Sequence, residues 1–141
     1  MRERILVVDD ERSLAQALSI RLQASGYEVR CAFDGLSGVD AAMSWCPDAI
    51  MLDIRMPDID GFEVYRRLRA CSALEATPVI FLSANVQESA RQAALAAGAR
   101  AYLTKPYESK DLLAAVRSAL DARERPAGTA GASFSGRPPR G

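Results

Sequence analysis

Four short apolar runs each end in a polar residue of a different chemical kind. Ile5-Leu6-Val7-Val8 runs into Asp9-Asp10, and Ala49-Ile50-Met51-Leu52 into Asp53. Val79-Ile80-Phe81-Leu82 runs into Ser83, and Ala101-Tyr102-Leu103-Thr104 into Lys105. If these runs are parallel strands of one sheet, three carboxylates, a hydroxyl and an ammonium converge on its C-terminal edge, where open α/β sheets bind ligands. That set suits a divalent cation and a phosphoryl group. A carboxylate such as Asp53 can attack phosphorus and form an acyl phosphate. Two anions must then meet, so the site needs cations. Mg²⁺ takes oxygen ligands, typically one or two carboxylates with phosphate oxygens and water, and Asp9, Asp10 and Asp53 can supply the carboxylates. Lys105 adds a point positive charge beside the phosphoryl oxygens, and Ser83 a hydroxyl donor.

Each residue also has an ordinary reading. An acidic residue at a strand end often caps the next helix, and Asp10 fits that role as well as metal binding. Asp53 could be a turn residue before a Pro-containing loop, Ser83 an N-cap and Lys105 a solvated lysine. Their placement at successive strand ends favours one shared site.

The elements that must hold these residues follow from periodicity. The apolar runs do not alternate with polar residues, as buried parallel strands do not. A second strand is predicted over residues 27–33, with Val29 and Cys31 on one face. Between strands the spacing turns helical. Leu14, Leu18 and Leu22 predict a first helix closed by Gly26. Further helices are predicted over residues 36–45, ended by Cys46-Pro47, and over 61–69, entered through the turn-forming Pro57-Asp58-Ile59-Asp60. A fourth spans 87–97, closed by Gly98. The last spans 108–123, with Leu112, Leu113, Val116 and Leu120 as its apolar stripe. Five βα units imply an α/β, doubly wound domain with a parallel five-stranded sheet and helices on both faces.

Composition narrows the classes. The chain has 141 residues, enough for one domain with a full core, and a formal net charge of zero, which argues against nucleic-acid binding by bulk charge. Residues 1–122 carry 14 basic and 17 acidic side chains, and the segment from Arg123 carries four Arg and one Glu. There is no histidine, which removes His-based triads, His-ligated zinc and an internal phosphohistidine. Cys31, Cys46 and Cys71 form no close pair and read as free thiols of a reducing compartment. The first apolar run is too short for a signal peptide, and no run reaches membrane-spanning length. A cytoplasmic protein without membrane contact is expected. Residues 126–141 are mainly Gly, Pro, Ala, Ser and Arg and read as a disordered tail or linker stub after a domain over residues 1–125.

Over residues 4 to about 122 the chain resembles the response regulator receiver domains of two-component signalling, the CheY-like proteins. The matching segments are Ile5-Leu6-Val7-Val8-Asp9-Asp10-Glu11, Leu52-Asp53-Ile54-Arg55-Met56-Pro57-Asp58-Ile59-Asp60-Gly61, Leu82-Ser83-Ala84 and the stretch from Gly98 to Tyr107. The resemblance implies a flavodoxin-like (βα)5 fold with strand order 2-1-3-4-5. It makes Asp53 the phosphoacceptor, Asp9 and Asp10 the acidic pair holding Mg²⁺, and the Arg55 carbonyl a further metal ligand. Ser83 becomes the switch hydroxyl, Lys105 the phosphate-pairing lysine, Tyr102 the aromatic that turns inward on phosphorylation, and Lys105–Pro106 a cis bond. The resemblance also places Arg55 and Asn85 at positions that in the family tune phosphoryl lifetime. The implied phosphodonor is a histidine kinase or histidine phosphotransfer protein. The implied output partner binds helix 4, strand 5 and helix 5, with no direct nucleic-acid binding by this domain. The chain is then a signalling phosphoacceptor that catalyses its own phosphorylation and dephosphorylation, rather than an enzyme acting on a separate substrate.

Two other classes compete. A haloacid-dehalogenase-type phosphatase also uses an Asp nucleophile and a Lys, but expects a general acid two residues on, where Arg55 stands. A silent pseudo-receiver would act by binding alone, and retention of Asp9, Asp10, Asp53, Ser83 and Lys105 argues against it. An EF-hand over Asp58-Ile59-Asp60-Gly61 would put Met56 and Arg67 at ligand positions, and fails.

Overall fold

Apolar runs buried on both faces and separated by helical segments give a three-layer arrangement in the computed structural model, which describes residues 2–85 and 87–124. The strands are β1 (Arg4–Val8), β2 (Glu28–Ala32), β3 (Ala49–Asp53), β4 (Val79–Ser83) and β5 (Ala101–Thr104). The helices are α1 (Arg12–Ala24), α2 (Gly35–Trp45), α3 (Gly61–Arg69), α4 (Glu88–Ala96) and α5 (Ser109–Glu124). All strand pairs are parallel, in the order β2-β1-β3-β4-β5. This is the doubly wound flavodoxin-like fold. The segment 126–141 lies outside the described residues.

Successive strand residues point to opposite faces, and each face has its own core. Leu6, Val8, Ile50, Leu52, Val79 and Phe81 pack with Ala42, Trp45, Val64, Leu68 and Ala94 of α2, α3 and α4. Ile5, Val7, Met51, Ile80 and Leu82 pack with Leu18, Leu22, Leu112, Val116 and Leu120 of α1 and α5. The central β3 and β4 are buried at every position, which explains their unbroken apolar sequence. Each fully buried Leu or Ile contributes about 1.5–3 kcal/mol. Phe81 is fully buried, its ring 5.1 Å from that of Phe62 and 5.7 Å from that of Tyr65. Phe81→Ala would cost about 3–5 kcal/mol.

The predicted stripe of α1 needs correction. Leu14 is 43 % exposed, and the buried face is Ala15, Leu18, Ser19 and Leu22. That set follows the i, i+3, i+4, i+7 pattern, so the helix is rotated about one residue from the Leu-every-fourth reading. The third helix keeps its predicted bounds, and the other predicted bounds shift by a residue or less. α2 begins at Gly35 because Asp34 caps it, accepting from the Ser37 N–H at 2.8 Å. In α4, Gln87 and Ala97 are the caps rather than helical residues. The α3 entrance is an Asp60-capped turn, with the Glu63 N–H donating to Asp60 at 2.9 Å. Glu63 pairs forward with Arg66 and Arg67 along the exposed face.

At the N-terminal end of β1, Arg4 donates to the Trp45 carbonyl at 2.8 Å. The guanidinium groups of Arg4 and Arg30 lie 5.4 and 4.7 Å from the Trp45 ring centroid. Cys31, Cys46 and Cys71 are free.

Candidate functional site

The register of the sheet delivers the polar residues to one edge. Leu52 pairs with Val8 and Leu82 with Asp53, so Asp9 and Asp53 leave adjacent strands at nearly the same level. Ser83 pairs with Thr104, which puts Lys105 one residue beyond, its N–H donating to the Ser83 carbonyl at 2.7 Å. The Lys105–Pro106 peptide is cis.

Asp9 is buried, with 2 % exposure, and one of its oxygens accepts the Glu11 N–H at 3.0 Å. Asp9, not Asp10, therefore takes the free amide at the start of α1. Asp10 is exposed, and the residue at the α1 cap, Glu11, makes no side-chain cap. Carboxylate oxygens of Asp9, Asp10 and Asp53 lie within 4.8 Å of one another. The Lys105 ammonium sits between two of them, 3.1 Å from Asp9 Oδ2 and 3.2 Å from Asp53 Oδ2.

Burial raises the Asp53 carboxyl; Lys105 opposes that shift, Asp9 adds to it, and the result is about 6. Burial alone would lower Lys105, but the Asp53 and Asp9 carboxylates outweigh it and raise the ammonium. Without a further cation the site holds more negative charge than it can comfortably ionise. Ligands about 2.1 Å from a central Mg²⁺ lie about 4 Å apart across an octahedron, close to the spread of these oxygens. Three oxygen donors, two buried and one open to water, fit a hard divalent cation. The Arg55 guanidinium has no acceptor atom, so any metal ligand from that residue is its backbone carbonyl.

Ser83 and Tyr102 form a second group. Ser83 is buried, and its Oγ accepts the Asn85 N–H at 3.0 Å rather than bonding Asp53. The Tyr102 hydroxyl donates to the Asn85 carbonyl at 2.9 Å. Asn85 thus joins the Ser83 hydroxyl to the aromatic on β5. These residues, with Ile54, Arg55, Phe62 and Ala90, border a cleft of about 320 Å³. On the other side of Lys105, Leu14, Ala17, Pro106 and Tyr107 border an apolar cleft of about 460 Å³. Leu14, misplaced in the core by its spacing, is a wall of this cleft.

Two residues that follow β3 have roles that their types do not announce. A Cβ on Gly61 would lie 2.6 Å from the Asp53 carbonyl oxygen, so α3 starts against the backbone of Asp53 itself. Asp58, readable from sequence only as a turn former, accepts from the Gly35 and Leu36 N–H groups of α2 at 2.9 and 2.8 Å. Those hydrogen bonds, the Leu36 one foremost, hold its carboxyl down to about 2.

The site can be set beside known proteins. The response regulator MprA of Mycobacterium tuberculosis H37Rv is 43 % identical over 120 residues, covering 85 % of this chain and 51 % of MprA. The DNA-binding dual master transcriptional regulator RpaA of Synechocystis sp. PCC 6803 is 39 % identical over 122 residues, 86 % of this chain and 51 % of RpaA. The chain therefore spans about half the length of these relatives. Chemotaxis response regulator CheY4 of Vibrio cholerae superposes with a TM-score of 0.80 at 33 % identity, covering 85 % of this chain and all (100 %) of CheY4. The receiver domain of the sensor histidine kinase PA1611 from Pseudomonas aeruginosa PAO1 superposes with a TM-score of 0.79 at 30 % identity, covering 86 % and 99 %. That structure has a magnesium ion coordinated in its active site cleft. The sequence model of the response regulator receiver domain matches residues 5–117 here. With its strand order and its acidic strand ends, the chain belongs to the response regulator receiver domains of two-component systems.

Proposed function

We propose that this chain accepts a phosphoryl group on Asp53, in a Mg²⁺-dependent reaction, and thereby switches its protein contacts. The observation that carries this is the cluster of Asp9, Asp10 and Asp53 oxygens within 4.8 Å, with the Lys105 ammonium against two of the three. An oxygen of the Asp53 carboxylate attacks phosphorus, and the bond from phosphorus to the donor's leaving atom breaks. The donor is the phosphohistidine of a kinase or phosphotransfer protein, or a small acyl phosphate. Asp9, Asp10, Asp53 and the Arg55 carbonyl would hold the Mg²⁺, which would supply positive charge against the phosphoryl oxygens. Lys105 balances charge from the opposite side. The Ser83 hydroxyl carries a proton that it can donate to a phosphoryl oxygen. Transfer is then mainly positioning and charge neutralisation.

The apolar cleft beside Lys105 offers the donor protein a face next to the reacting carboxylate. When Ser83 turns toward the phosphoryl group, its hydrogen bond from Asn85 is lost, and so is the seat of the Tyr102 hydroxyl. That couples Asp53 to α4, β5 and α5, where an output protein binds. Residues 1–125 act as the receiver unit, in the cytoplasm, and no helix among the described residues is long and apolar enough to cross a membrane. Intact mass tests the reading. Acetyl phosphate with Mg²⁺ should add one phosphoryl mass to the wild type and none to Asp53→Asn. Equal modification of the variant would reject Asp53 as the acceptor.

A further inference from the structure

We propose that Asp58 is a positioning residue for the cation site, bracing the loop after β3 against α2 so that the two halves of the site keep their spacing. The inference rests on the reading above, in which the strand ends carry Asp9, Asp10 and Asp53 as one half and the loop carries the Arg55 carbonyl as the other.

The loop from Ile54 to Asp60 is fixed at its ends by backbone bonds. The Ile54 N–H donates to the Leu82 carbonyl at 3.2 Å, and the Gly61 N–H to the Ile54 carbonyl at 2.7 Å. Between them Arg55, Pro57 and Asp58 are exposed. Asp58 supplies the polar tie of this stretch to α2. One of its oxygens takes the Gly35 N–H at 2.9 Å and the other the Leu36 N–H at 2.8 Å. These amides lie in the first turn of an 11-residue helix, have no intrahelical acceptor, and favour an anion. The neighbouring Ile59 closes over the same turn. A Cβ on Gly35 would collide with Ile59 Cγ1 and lie 2.8 Å from the Ile59 carbonyl oxygen, so only glycine admits the loop this close.

The far side of the brace is equally fixed. α2 is seated on the end of β1, where a Cβ on Gly38 would lie 2.8 Å from Val8 Cγ1. Val8 is the residue before Asp9. Asp58 therefore ties the segment carrying Arg55 to the helix resting on the strand that carries Asp9 and Asp10. Loss of the tie frees the Arg55 carbonyl relative to the three carboxylates, which the paired strands hold, without touching any ligand.

A plain helix cap would behave differently, and Asp34 provides the comparison. It caps the same helix, accepting from the Ser37 N–H at 2.8 Å, carries the same charge, and makes no bond to the loop. The test is Mg²⁺ titration by calorimetry on the full chain, with melting temperatures measured alongside. Asp58→Ala should weaken Mg²⁺ binding at least fivefold. Asp58→Asn, which keeps one acceptor oxygen, should recover part of that loss. Asp34→Ala should lower the melting temperature about as much as Asp58→Ala yet hold Mg²⁺ affinity within twofold of wild type. Affinity within twofold in both Asp58 variants, or an equal loss in Asp34→Ala, would overturn the brace. If Asp58→Ala does not fold, the Asp58→Asn and Asp34→Ala comparison decides in the same way. A wild-type chain that binds no Mg²⁺ would overturn the reading of the site and the brace together.

Discussion

The ammonium of Lys105 lies 3.2 Å from Oδ2 of Asp53, so the proposed nucleophile is already paired with a cation before any donor arrives. The same nitrogen is 3.1 Å from Asp9 Oδ2, making it a bridge between two carboxylates that also serve as metal ligands in our reading. Lys105 competes with the metal for these oxygens, yet it is the group that would steady the incoming phosphoryl oxygens. Removing it should separate the two effects. Lys105→Met should bind Mg²⁺ several-fold more tightly and accept phosphate from acetyl phosphate at least tenfold more slowly, about 1.4 kcal/mol or more. Unchanged Mg²⁺ affinity in titration would show that the bridge carries no such competition.

The pH dependence of the metal-free protein follows from Asp53. Its carboxyl is raised to about 6, above its ordinary value, so the native chain binds this proton more tightly than the unfolded chain. That contribution is present at low pH and is lost as pH rises toward about 6, then stays flat. Asp53→Asn should therefore be more stable than wild type near pH 8, by on the order of 2 kcal/mol, with the gain vanishing near pH 4. Calorimetry with chelator present reads this directly. Metal binding must displace the same proton, so Mg²⁺ affinity should fall about tenfold per pH unit below about pH 6.

Gly61 offers a prediction whose sign runs against helix propensity. Gly→Ala within a helix normally stabilises by about 0.5–1 kcal/mol. Here the new Cβ would meet the Asp53 carbonyl oxygen at 2.6 Å and Ile54 Cα at 2.8 Å, both backbone atoms that cannot rotate away. Gly61→Ala should instead cost about 2 kcal/mol and slow phosphorylation by displacing the Asp53 backbone. Denaturant unfolding and the acetyl phosphate rate give the two numbers.

The Ser83–Asn85–Tyr102 chain predicts how far activation travels. Addition of beryllofluoride with Mg²⁺, as a phosphoryl mimic, should shift backbone NMR signals at Asn85, Tyr102 and along residues 87–110. Shifts confined to the surroundings of Asp53 would mean that Tyr102, 8 % exposed, is simply a core aromatic.

Much of the arrangement was legible because buried parallel strands leave unbroken apolar runs, and because Asp9, Asp53, Ser83 and Lys105 close those runs. The alternative of Asp10 as a helix cap was equally open in sequence. It is settled by burial: Asp9 points inward to the Glu11 amide, and Asp10 stays in water. Leu14 misled because a four-residue spacing drifts around the helix, and only packing fixes which side faces the sheet. Asp58 could not be read beyond its turn, since its partners lie 22 and 23 residues away and are backbone groups without a type of their own. The raised carboxyl of Asp53 likewise depends on how deeply the sheet edge is covered, which no single residue records.

The chain's one tryptophan, Trp45, closes α2 at the end opposite Gly35. An 11-residue helix is about 16 Å long, so the indole stands that far from the turn that meets the Asp58 loop. Wedged against Arg4 and Arg30, it is a fluorophore for the intactness of the core and is blind to events at Asp53. Emission will follow unfolding but stay level during metal uptake, which gives titrations of this protein a built-in check that the fold has survived.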